Sequence, residues 1–96
     1  MSATDWEYPA DFLEQLLTHG LAPARTTPPA AVRDALNDLY RFEIRRLRRR
    51  LLDGQVEKAH YVDEVVALRK KYWLLSLTPS AWEKICDPTA SGRWSP

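Results

Sequence analysis

Arg41-Phe42-Glu43-Ile44-Arg45-Arg46-Leu47-Arg48-Arg49-Arg50 holds six arginines against one glutamate, and no other stretch of the chain concentrates so much recognition chemistry. Guanidinium groups meet carboxylate or phosphate oxygens through paired hydrogen bonds, so the run suits an acidic protein surface or a nucleic-acid backbone. Six phosphate contacts would give binding a log–log salt slope of roughly −5. A third reading is a solvent-facing flank neutralised by a neighbouring helix, in exposed ion pairs worth under about 1 kcal/mol each. The neutralised flank ranks first, an acidic protein partner second and nucleic acid third. Two observations set that order. The formal net charge is only +1, so no global field draws the chain to polyanions. On a helical wheel the arginines also spread over roughly 160°, wider than a helix reading a nucleic-acid groove would place them.

The residues assigned to a partner surface are Arg41, Phe42, Arg45, Arg46, Arg48, Arg49, Arg50, Trp73 and Leu74. Phe42 falls off the apolar stripe, so it either meets the first helix or belongs to an interface. Glu43 falls inside the apolar arc, where an unpaired charge is costly, and Arg46 or Arg50 on its own helix would pair with it. Lys70-Lys71-Tyr72-Trp73-Leu74-Leu75 mixes cations with aromatics, a pattern also used for base stacking. At this spacing Tyr72 and Trp73 fall on the apolar face and the lysines opposite, which favours core packing. Leu74 projects to the other side and requires cover.

Other chemistry is sparse. His19, His60 and Cys86 are the only soft metal ligands, and no two of them share a helical turn. Zinc needs three or four convergent ligands, usually with short paired spacings, so no metal site is expected. One cysteine permits no internal disulfide. No catalytic residues, no cofactor and no enzymatic activity are expected.

The elements that must position these residues are legible from periodicity. A first helix is predicted over 9–19, with Phe12, Leu13, Leu16 and Leu17 at helical spacing, Gly20 as a left-handed cap and Pro23 preventing continuation. A second is predicted from Thr27-Pro28-Pro29 to Leu52, with Thr27 as its cap. Its stripe is Val32, Leu36, Tyr40, Ile44, Leu47 and Leu51. Gly54 then turns the chain into a third helix over 55–77, striped by Tyr61, Val65, Leu68, Tyr72 and Leu75. A link that short makes the two antiparallel, with Leu36, Leu47, Val65 and Leu68 as the shared core. In that register Arg50 lies near Glu57, Arg46 near Asp63 and Glu64, and Asp38 near Lys70 and Lys71. A short fourth helix starts after Thr78 or at Ser80 and ends at Cys86, before Asp87-Pro88.

The fold class expected is all-α: a long antiparallel helical hairpin covered by two shorter helices, a small helix bundle. Residues 1–88 would form one helical domain and 89–96 a flexible tail anchored only by Trp94. Each hairpin arm would be roughly 35 Å long, and the two short helices would cover only about 28 Å of it. The uncovered stripe points to a homodimer or a heteromer. The first residues lack a basic, apolar leader, and no apolar run approaches the roughly 20 residues of a membrane span, so a cytoplasmic address is expected. The function expected is a small interaction protein, an accessory or regulatory subunit or an assembly factor. The alternative is a nucleic-acid-binding module using the helix face over 41–50.

Overall fold

The computed structural model describes residues 5–88. They form a small all-helical bundle: α1 (Ala10–Leu17), α2 (Pro29–Leu52), α3 (Lys58–Lys71), a 3₁₀ turn (Trp73–Ser76) and α4 (Pro79–Cys86). No strand occurs among the described residues. The chain divides into two compact units. Unit 1 takes Met1–Ala35 with Leu77–Pro96, and unit 2 is Leu36–Ser76. The tail expected over 89–96, with Trp94, lies outside the described residues.

Unit 1 is built around Trp82, which is fully buried on α4 and meets Phe12 of α1 edge to face, with ring centroids 4.8 Å apart. Leu16, Pro29, Val32 and Cys86 complete its core. Helix α1 therefore buries only the Phe12–Leu16 edge of its apolar face, and Leu13 and Leu17 point to solvent. The segment before α1 is extended and stitches distant parts together. Trp6 N–H donates to the Arg25 carbonyl at 2.7 Å, and Glu7 N–H to the Cys86 carbonyl at 2.8 Å. The Tyr8 hydroxyl donates to the Thr27 carbonyl at 2.5 Å. Thr27 does not cap α2 as expected. Its hydroxyl accepts from Ala24 N–H, closing the connector's own turn, and the Pro28 carbonyl opens the helix instead. At α4, Thr78 wins over Ser80: its hydroxyl accepts from Ala81 N–H at 3.1 Å, with Pro79 at the first helical position.

Burial in unit 1 also sets its response to alkali. Burial, with the Cys86 thiol group nearby, pushes the Tyr8 phenol up to about 12, and burial pushes the Cys86 thiol up to about 11. Both raised values favour the neutral form in the fold. Their stabilisation is complete below the ordinary values of 9.0 for the thiol and 10.0 for the phenol. It is then lost as pH climbs to about 11 and about 12. Urea melts should therefore weaken from about pH 9 upward. Cys86→Ala should remove the lower part of that slope and Tyr8→Phe the upper part. Wild-type slopes in both variants would rule the two groups out as its cause.

Both left-handed glycines end helices in the same way. Gly20 (φ 78°) lets Leu21 N–H reach the Leu16 carbonyl and its own N–H reach Leu17; Gly54 (φ 76°) repeats this with Gln55 to Arg50 and Gly54 to Leu51. This six-to-one and five-to-two pairing is the Schellman closure that a glycine makes cheap.

Unit 2 departs from expectation in the length of its second arm. The link after α2 is the stretch 53–57, because Gln55, Val56 and Glu57 leave helical geometry and Val56 turns inward to be buried. Helix α3 has 14 residues against the 24 of α2. It ends at Lys71, where Tyr72 adopts φ −104°, ψ 34° and the chain tightens into the 3₁₀ turn. Tightening changes the step per residue from about 100° to about 120°. Leu74, on the far side of a regular helix, is thereby drawn inward to 1% exposure. Trp73, expected with the core, is left 45% exposed. Leu36, Leu47, Val56, Tyr72 and Leu74 are the buried apolar residues of unit 2, and α3 contributes no fully buried residue. Val65 and Leu68, expected to be core, are only half-buried.

Candidate functional site: an arginine-walled groove

Helices α2 and α3 of unit 2 make contact in opposing order. Arg50 pairs with Glu64 at 3.5 Å, and Glu43 pairs with Lys71 at 3.3 Å. Tyr40 meets Tyr72 with ring centroids 5.3 Å apart. The register differs from the one expected: Arg50 meets Glu64 rather than Glu57, and Lys71 meets Glu43 rather than Asp38. The five-residue link is the reason, since it carries the start of α3 past Glu57.

Glu43 is likewise corrected. Its carboxylate is held by the Lys71 ammonium and by the Tyr72 hydroxyl, which donates to Oε2, not by Arg46 or Arg50. Burial, together with the hydrogen bond and charge of Glu43, pushes the Tyr72 phenol well above its ordinary range. Tyr72→Phe should cost about 1–2 kcal/mol, as expected for a hydrogen bond to a charged acceptor that keeps one cationic partner. Denaturant melts would read this loss. A neutral result would mean that the hydroxyl adds nothing beyond packing.

The two sides of the α2–α3 pair differ in charge. On one side Glu43, Arg46, Leu47, Arg50, Glu64 and Leu68 enclose a small cleft in which acids and bases both appear. Arg46 also lies over the Phe42 ring at 5.8 Å, leaving Phe42 half-exposed. On the other side an open groove of about 350 Å³ has Tyr40, Ile44, Tyr61 and Val65 along its floor. Arg41, Arg45 and Arg48 of α2 and Arg69 of α3 form its walls. Among the described residues no acidic residue lines it. Among the described residues these four arginines form no ion pair. Of the six arginines over 41–50, only Arg50 is ion-paired among the described residues.

Helical spacing explains the groove. Arg41, Arg45 and Arg48 recur at i, i+4 and i+7, so they form one row beside Tyr40 and Ile44. Leu52 continues that row one turn further and is 79% exposed. On α3, Val62, Val66 and Arg69 form the matching row, and both valines are exposed. The site is thus cationic at its walls, and Leu52, Val62 and Val66 are exposed elsewhere on the same two helices.

Most residues assigned to a partner surface are exposed: Arg41, Phe42, Arg45, Arg46, Arg48, Arg49, Arg50 and Trp73. They do not form one patch, because Arg46 and Arg50 line the mixed-charge cleft while Arg41, Arg45 and Arg48 line the groove. Leu74 is corrected outright, since burial removes it from any surface. Residue-by-residue reading missed Arg69 and Tyr61. Arg69 lies one turn beyond Val65 and Tyr61 one turn before it, so only the pairing of the two helices brings them to the groove. Among the described residues no cluster of three His, Cys, Asp or Glu could hold a metal ion, and no helix is long and apolar enough to cross a membrane.

No protein family, curated protein or solved structure matches this chain.

Proposed function

We propose that this chain is a small interaction protein, an accessory subunit or assembly factor, that docks an acidic protein surface in the α2–α3 groove. The observation that supports this is four arginines around one apolar-floored groove with no carboxylate to balance them. Like charges one helical turn apart destabilise a helix by about 0.2–0.5 kcal/mol per pair. A carboxylate-bearing partner offsets that repulsion and covers the floor of Tyr40, Ile44, Tyr61 and Val65 at the same time. On this reading α2 and α3 act as an antiparallel hairpin that holds the groove open, and the protein works in the cytoplasm without chemistry of its own.

Nucleic acid is the competing occupant. The apolar Ile44 and Val65 of the floor argue against it, because a phosphate backbone gains nothing from aliphatic groups. Fluorescence anisotropy separates the two. A synthetic helical peptide with one leucine stripe and a glutamate flank should bind with shallow salt dependence. A DNA duplex should bind weakly. Tighter duplex binding, with a log–log salt slope of roughly −3 to −4 from four phosphate contacts, would overturn the reading.

A further inference from the structure

The chain itself carries a surface with the chemistry that the groove selects. Helix α1 leaves Leu13 and Leu17 exposed one turn apart, at 37% and 65%, with Glu14 exposed beside them. Those leucines are not an unused remnant of the unit 1 core, whose α1 contribution is complete in Phe12 and Leu16. The charges of the two units are opposed. Unit 1 holds seven Asp and Glu against four Lys and Arg, whereas unit 2 holds six against ten. The near-neutral whole thus conceals an acidic unit and a basic one. Lengths also correspond. The eight residues of α1 extend about 12 Å, and the wall from Arg41 to Arg48 rises about 10 Å.

We infer that the groove takes α1 of a second copy of this chain. Leu13 and Leu17 of one copy lie over the Tyr40–Ile44–Tyr61–Val65 floor of the other. Glu14 sits in the row of Arg41, Arg45 and Arg48. Each copy carries one groove and one α1. This inference rests on the reading of the groove as a protein-docking surface.

Charge swapping tests it on the full chain by sedimentation equilibrium. Wild type should associate with concentration. Glu14→Arg alone and Arg45→Glu alone should each weaken association by about tenfold or more, through like-charge opposition at the contact. Mixing the two variants should restore it, because each reversed site then meets its opposite. Leu17→Ser should weaken association without any change of charge, and circular dichroism of each variant checks its fold. Both charges lie on exposed surface, so native helicity is expected throughout. A monomeric wild type, association indifferent to Arg45→Glu, or a mixture that stays dissociated would overturn the inference. A monomer that still binds the acidic peptide would overturn this inference alone and leave the groove as a docking site. Duplex binding in place of peptide binding would remove the docking reading itself.

Discussion

Trp82→Ala will unfold unit 1 more readily than any other single truncation in the chain. Trp82 has no solvent exposure and packs edge to face on Phe12, with Leu16, Val32 and Cys86 also buried in that unit. Truncating a buried tryptophan to alanine costs about 3–5 kcal/mol, and loss of the aromatic pair accounts for about 0.5–1.5 kcal/mol of favourable geometry. A chain of this size has only about 5–14 kcal/mol in total, so the variant should lose a large part of its stability. Trp73→Ala is the control. That side chain is half-exposed on the 3₁₀ turn, and its truncation should cost under about 1 kcal/mol. Urea melts followed by far-ultraviolet circular dichroism compare the two. Equal losses would show that Trp82 is not the centre of its core. Leu47→Ala, in unit 2, should fall between them at about 2–4 kcal/mol.

The second large effect separates binding from stability. Arg45→Glu with Arg69→Glu reverses one charge on each wall of the groove. Neither arginine has an ion-pair partner among the described residues, so no stabilising contact is lost. Arg45→Glu moreover sets an opposite charge one turn from Arg41 and from Arg49, worth about 0.2–0.5 kcal/mol per pair. The melting temperature should hold or rise slightly. Affinity for the acidic helical peptide should fall about 100-fold, since both walls now repel it. Arg50→Glu gives the contrast: it breaks the pair with Glu64, outside the groove, and should leave peptide binding within about twofold. Peptide affinity that survives the double reversal would place the docking surface elsewhere.

An alkaline loss of stability, the Tyr72→Phe cost and these two results report on different layers of the molecule, and sequence made some layers legible and not others. Local chemistry was readable because its causes lie within a few residues. Gly20 and Gly54 close helices through contacts to the preceding turn, and Thr78-Pro79 starts one for the same reason. The all-helical class and the long α2 followed from an uninterrupted 3.6-residue period from Val32 to Leu51.

Tertiary structure decided what periodicity cannot encode. The end of α3 depends on Tyr72 being held by Glu43 and Tyr40, 29 and 32 residues away, and that arrest buries Leu74 and exposes Trp73. Glu43 took its partners from the other helix because the stretch 53–57 is longer than a tight turn, shifting the register by about one to two turns. The groove followed from the same shift. Sequence determined that six arginines ride on one helix; the pairing of α2 with α3 decided which of them acquired a carboxylate and which were left facing outward. An ion pair forms only where two side chains meet in space, and that separation is set by the turn and the opposing face, not by either residue alone.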